Sequence, residues 1–289
     1  MKVFKINFLV AIALVLLSCS KSEDDKTPET PVDPDPVDTS WSRVFTDDFA
    51  STDSWSNWSR TNRFDYNSNY CSYVSSNTQI ETHDNLSCLV LTASKNGDIW
   101  NSGHVKSNYS FKPATNQEFR VSASIKLVAM QGDAFVSFAS TYGAWPAFWT
   151  VQETAWPVNG EIDIMEGYSY GGTSKFASNL FYGTTAGSNQ MGNSCTMAYS
   201  VSEGWHLYDE YWKNQNGTVT ITIKLDEVTV ATYTNAANSN LKLANFGPHN
   251  IILNMCVGDN YGNFTASKID VATKTMMWVD YVTVDKRNL

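Results

Sequence analysis

Eight residues, Gly160-Glu161-Ile162-Asp163-Ile164-Met165-Glu166-Gly167, set three carboxylates among apolar side chains. The alternation predicts a strand with one acidic and one apolar face, on which Glu161 and Asp163 point the same way. Glu166 is out of step by one residue. A β-bulge at Ile164-Met165 would return it to the face of the other two. Three like charges on one face raise one another's pKa, and desolvation adds to the cost. A solvated acidic edge strand is one alternative, but Ile162, Ile164 and Met165 require a buried reverse face. A calcium site is another, although such sites favour carbonyl-rich loops over a regular strand. Paired carboxylates whose environments split their pKa values are what hydrolysis of a sugar–sugar bond requires.

The elements that must position this strand read as short β segments: 87–93, 118–128, 134–138, 147–151, 161–166, 219–225, 227–233, 251–257 and 278–284. Turn signals such as Asn96-Gly97-Asp98, Asn116-Gln117 and Asn216-Gly217 lie between many of them, and no long stretch carries helical periodicity. The pattern predicts an all-β antiparallel sandwich or jelly roll. The formal charge of -9 argues against nucleic acid, whose binding rests on neutralising phosphates with Lys and Arg. The 10 Trp, 14 Tyr and 14 Phe exceed what a core needs and suit sugar stacking in an open cleft.

Ahead of the strands, residues 1–19 have a basic start and an apolar run from Phe8 to Leu17 that is too short to span a bilayer. Leu16-Leu17-Ser18-Cys19 resembles a bacterial lipobox, which implies a signal peptide ending at a lipidated Cys19 and a membrane-anchored protein. The acidic Ser20-Lys21-Ser22-Glu23-Asp24-Asp25 resembles the export tag of surface lipoproteins in glycan-foraging Gram-negative bacteria. Both point to an outer-membrane protein exposed at the cell surface. Residues 20–40, rich in Pro and Asp, form a disordered tether, and 41–289 a single catalytic domain acting as a monomer. The four remaining cysteines, 71, 88, 195 and 256, allow three pairings and match no zinc spacing. Cys71 with Cys88 is the preferred disulfide, and Cys256, inside an apolar strand, reads as a buried thiol.

The acidic strand resembles the bulged signature of glycoside hydrolase family 16. Further segments match in the same order: Ser102-Gly103-His104-Val105, Ala144-Trp145-Pro146-Ala147-Phe148-Trp149, Trp205-His206-Leu207-Tyr208 up to Trp212, Ile252-Leu253-Asn254-Met255, and Met277-Trp278-Val279-Asp280-Tyr281. The resemblance implies two curved sheets, of the concanavalin-like jelly-roll type, with a substrate cleft across the concave face. It implies Glu161 as nucleophile, Glu166 as acid/base and Asp163 as the group that tunes both. Trp145 and Trp149, four apart on one strand face, read as core packing or, by their match to the family segment, as sugar platforms, and Trp156 as the floor of a neighbouring subsite. Phe181 and His104 fall near the cleft, and Asn254 hydrogen-bonds either sugar or only the sheet. Asp280, with Asp48, would contribute to a structural calcium site on the convex side; no cofactor is implied for the chemistry.

The expected activity is that of a surface-anchored, retaining endo-β-glycosidase acting on a polysaccharide or a glycoprotein glycan. Phe181 stands where β-glucan-cleaving members often have His, His104 where Arg is common, and Asp259 where a second Gly is common. These departures favour an endo-β-galactosidase acting on galactose/N-acetylglucosamine chains of mucin-type O-glycans. An endo-β-1,3-glucanase of laminarinase type is the alternative, followed by an agar-type galactanase. From another class, a carbohydrate-binding lipoprotein without turnover is the competing reading.

Overall fold

A computed structural model describes residues 40–60, 62–63, 70–97, 99–191, 195–198, 204–259, 262–269 and 274–289. The lipobox cysteine and the tether up to residue 39 lie outside the described residues. Two sheets face one another, one of eleven strands and one of eight. The eight-stranded sheet carries the site. Its order is Ser188–Met191, Ser174–Thr185, Glu161–Ser169, Ala144–Val151, His249–Val257, His104–Phe111 and Trp58–Arg60, with Cys195–Ala198 also paired to Ser174–Thr185. All these pairings are antiparallel. The all-β sandwich expected from the strand pattern is therefore the architecture observed.

Alternation determines which residues enter the core. Phe148, Ile162, Ile164, Leu180, Ile251 and Leu253 point from this sheet toward Val121, Ile125, Trp212, Ile221 and Ile223 of the other, all buried in one continuous cluster. Residues of opposite parity, Ala147, Trp149, Val151 and Ile252, form a separate apolar cluster on the reverse face with Trp156 packed against it. The Glu161–Ser169 strand is thus backed by the core and fronted by the cleft.

Several strands run longer than the sequence pattern suggests, among them Gln117–Gln131 and Lys274–Asn288. The strand expected from Glu227 starts at Val228, because Asp226 and Glu227 both take positive φ (47° and 68°) as the two central residues of a hairpin turn.

The Cys71–Cys88 disulfide is not formed, and its partners lie in different places. On Leu86–Asn96, Leu89 and Leu91 face the core, so Cys88 faces out with Val90 into a satellite cluster against Trp278. Cys71 instead lies inside, alongside Cys256, with which it shares a hydrogen bond; Tyr70 N donates to Val257 O at 2.9 Å beside them. Cys256 is a buried thiol, as its apolar strand implied.

Candidate active site

Where Asp163 pairs with Trp149 and Glu166 with Ala147, the partner strand advances by two residues and the acidic strand by three. The same shift occurs against Ser174–Thr185, where Asp163 faces Asn179 and Glu166 faces Ala177. The extra residue falls at Ile164-Met165, and both side chains are fully buried in the core. A bulge that buries two consecutive apolar residues is what brings Glu161, Asp163 and Glu166 to one face.

The three acids are held differently. Glu166, 8% exposed, accepts from Trp145 Nε1 at 2.9 Å, from Asn179 Nδ2 and from the Tyr168 hydroxyl. Glu161 is half-buried and accepts from Trp156 Nε1 at 2.8 Å. Asp163 is 4% exposed, and its Oδ2 has no hydrogen-bond partner among the described residues. Burial raises all three carboxyls above their ordinary range. The charge of Glu166 raises Glu161 and Asp163 further, and that of Asp259 raises Glu166.

A hydrogen bond to a charged acceptor contributes about 1.5–3 kcal/mol, and taking an ion out of water costs several kcal/mol. Three donors offset much of that cost at Glu166, whereas one cannot at Glu161. Of the three carboxyls, Glu166 is therefore the one whose charge its surroundings favour most.

Two aromatic groups flank the acids. On the Glu166 side, Trp145 stacks on Tyr168 (5.4 Å between ring centroids), and Tyr168, Tyr170 and Phe264 lie in mutual contact. On the Glu161 side, Trp156 leans on Phe181 at 6.1 Å, and Phe181 is the cross-strand partner of Glu161. Trp156 comes from the 152–160 segment, which ends in Gly160 at φ +83°. A Cβ there would fall 2.3 Å from the ring of Phe246, so only glycine fits. Glu153 in the same segment is tied to Arg63 Nη1 (3.0 Å) and Lys106 Nζ (2.6 Å).

Trp149 faces the cleft but donates its indole N–H to Asn254 Oδ1 at 2.7 Å, while Asn254 Nδ2 donates to the Tyr73 hydroxyl at 3.1 Å. The amide of Asn254 is thus used within the floor. His104 is 1% exposed beneath Tyr73, with ring centroids 5.0 Å apart, and burial holds it down at about 3, so it is neutral and shielded from solvent. The floor thus contains Asn254 and His104 as supports, while Trp145, Trp156 and Phe181 stand beside the acids.

Asn179, Tyr168 and Tyr170 were missed in the sequence, although a period of two continued past the bulge from Glu166 marks both tyrosines. Asp259, 2% exposed, accepts from the backbone of Gly262 and Asn263 (3.2 Å each) and shapes the loop that ends in Phe264. Away from the cleft, burial raises the carboxyl of Asp280, and the nearby charge of Asp48 raises it further. No group of three or more His, Cys, Asp or Glu suited to a metal occurs among the described residues.

A family model described as "XgeA-like, catalytic GH16 domain" matches residues 58–201, a span that includes the whole acidic strand. No curated protein matches the chain. Among solved structures, an endo-1,3-β-glucanase from Streptomyces sioyaensis is 24% identical, with a TM-score of 0.69 over 90% of this chain and 100% of that one. A Bacteroides ovatus mixed-linkage glucan GH16 protein in complex with a product is 23% identical (TM-score 0.65; 83% and 99% covered). A laminarinase from Flavobacterium sp. UMI-01 is 22% identical (TM-score 0.63; 84% and 99%). The acidic bulged strand, its place in the sandwich and the matching family model agree: the chain belongs to glycoside hydrolase family 16 and is a glycoside hydrolase.

Proposed function

We propose that the chain is a retaining endo-β-glucanase that cuts internal bonds of β-1,3- or mixed-linkage glucans. The observation that carries this reading is the trio of clustered acids between two aromatic walls, in a chain whose fold neighbours are named as glucanases and laminarinases. In the first half-reaction Glu161, ionised, attacks the anomeric carbon while Glu166 protonates the departing oxygen. In the second, Glu166 takes a proton from water, which displaces Glu161 from the sugar. Two inversions give net retention.

The roles require a proton on Glu166 and a charge on Glu161, the reverse of the resting preference. Asp163 lies between them in sequence on the same face, with one oxygen unpartnered, and is the group through which the proton can be exchanged when substrate displaces water. The protons belong to the set rather than to single residues.

Phe181 belongs to an aromatic pair with Trp156 and serves as a wall for a sugar face. On that account its replacement of a histidine does not favour galactose-containing chains, and the glucanase alternative takes precedence. Incubating the enzyme separately with laminarin, mixed-linkage glucan, mucin O-glycans and agarose, then sizing the products and reading the anomer first formed by NMR, tests this. Rapid shortening of a β-glucan with the β-anomer first is expected. Cleavage confined to galactose-containing chains would overturn the substrate, and an α-anomer the mechanism.

Two further features belong to the same reading. Cys19 would carry the lipid that anchors the enzyme at the outer membrane, so Cys19→Ser should move it to the soluble fraction with unchanged specific activity; retention with membranes would refute the anchor. Asp48 and Asp280, two acids close enough for the charge of Asp48 to raise Asp280 beyond what burial does, suit a structural calcium ion. Chelation should then lower Tm and calcium restore it, and a Tm indifferent to both would exclude the ion.

A further inference from the structure

Behind the acidic strand, three polar side chains interrupt the apolar core. Glu210 is 0% exposed on His206–Gln215, flanked by Val121 and Ile223 on the neighbouring strands. Thr150, from the facing sheet, places Oγ1 3.0 Å from Glu210 Oε2 and 3.1 Å from His249 Nδ1. His249 Nε2 lies 3.0 Å from the carbonyl oxygen of Asn159. Glu210 Oε1 has no hydrogen-bond partner among the described residues.

The protons of this chain can be ordered from one end. A carbonyl oxygen only accepts, so His249 Nε2 carries a hydrogen. Burial holds His249 down at about 3, so the ring is neutral and Nδ1 accepts. The proton shared between Thr150 and His249 is then the threonine's own. Thr150 has none left for Glu210, which must donate and is therefore a carboxylic acid. Burial pushes Glu210 up to about 8, in keeping with this, and an unpaired carbonyl oxygen costs less than an unpaired carboxylate oxygen. Tyr208 on the same strand and Tyr233, which donates to Ser178 O, are titratable groups of this core, as are Tyr73, Tyr182, Cys71 and Cys256, and the charge of Lys112 lowers His249 further.

The acceptor at the far end leads back to the cleft. The Asn159 carbonyl also receives Gly247 N at 2.9 Å, and Asn159 Nδ2 donates to Thr154 O at 2.6 Å. This segment carries Trp156, whose indole donates to Glu161.

We propose that Glu210, Thr150 and His249 form an ordered hydrogen-bond chain that fixes the Asn159 carbonyl, and through it the segment that sets Trp156 on Glu161. Glu210 and His249 are thus positioning residues. The proposal rests on Glu161 being the nucleophile, as proposed above. When Glu210 gives its proton to solvent, the order reverses. The carboxylate accepts from Thr150, Thr150 accepts from His249 Nδ1–H, and Nε2, now bare, meets the Asn159 carbonyl lone pair to lone pair.

The test begins with a measurement that needs no activity. Long-range proton–nitrogen NMR of the full chain with 15N-labelled histidine should show His249 as the Nε2–H tautomer near neutral pH, changing to Nδ1–H as pH passes about 8. Glu210→Gln, whose amide donates to Thr150 as the acid does, should hold the Nε2–H tautomer throughout and retain most of the kcat that Glu210→Leu loses.

His249→Phe, checked for folding by circular dichroism, should lower kcat about tenfold with little change in KM. It should also move the acid limb of the pH profile upward, and His249→Gln, which can still donate to Asn159 O, should restore much of the loss. An Nδ1–H tautomer near neutral pH, or a His249→Phe enzyme with the wild-type profile, would overturn the proposal. A Glu210→Gln enzyme as impaired as Glu210→Leu would overturn it too. Expected tautomers in a protein that cleaves no glycan would uphold the ordered chain and refute the proposed function.

Discussion

Glu161 and Glu166 share a strand face and a shortage of water, yet their surroundings treat a negative charge in opposite ways. Around Glu166 the fold gathers an indole, an amide and a phenol. Around Glu161 it supplies one indole, delivered by a loop segment rather than by a strand. Burial raises both carboxyls, but donors decide which gives up its proton first. Under the proposed mechanism Glu166, whose charge its three donors favour, must be protonated to begin the reaction, so its state is one that substrate has to change. The structure thus separates a rigid half of the site, built on three strands, from a half that depends on how the 152–160 segment is held.

The largest test of that contrast removes one carboxylate. Glu161→Gln should cut turnover by a factor on the order of 10^4 or more while oligosaccharide still binds, because the covalent route is gone. Measurable binding without activity in both wild type and variant would mean a lectin-like role instead. Asp163→Asn comes next. It keeps the shape but cannot pass a proton between the two acids, so kcat should fall about 10^2-fold with KM nearly unchanged. A wild-type kcat would remove Asp163 from the exchange.

The smallest effect is the sharpest comparison. Trp156→Phe deletes the donor on Glu161, whose carboxyl then rises further, so the acid limb of kcat/KM should move to higher pH. Trp145→Phe deletes a donor on Glu166 and raises that carboxyl, so the alkaline limb should move up instead. Each change should cost kcat about tenfold or less. If both substitutions shift the same limb, the two acids do not have separate roles.

How much of this could be read from the chain depended on periodicity. The three acids stood out because polar residues at spacing two inside an apolar run have few structural uses, and the sandwich followed from short strands between turn signals. Trp145 and Trp156 were legible as aromatic neighbours of the acids, though not as their hydrogen-bond donors. Asn179 sits on the next strand, and only the register of Glu161–Ser169 against Ser174–Thr185 shows that it faces the acids.

Glu210 and His249 lie 39 residues apart, on strands of different sheets, so no local pattern links them. The same holds for Cys71 and Cys256. Their proximity depends on the chain path from one sheet to the other, whereas Cys88 was near in sequence and on the wrong face. Local chemistry was readable; side chains joined across the sandwich were not.

The bulge at Ile164-Met165 also changes how the strand must be numbered. Before it, odd positions face the cleft; after it, even positions do, so Glu161 and Asp163 are in one phase and Glu166, Tyr168 and Tyr170 in the other. The strand is written in two frames joined by a one-residue shift. A scan or library that varies every second residue from Glu161 onward would therefore alter the cleft as far as Asp163 and the core at Met165, and would leave the tyrosine wall untouched. The same shift is what absorbs the one extra residue between Asp163 and Glu166 without turning the downstream wall inward.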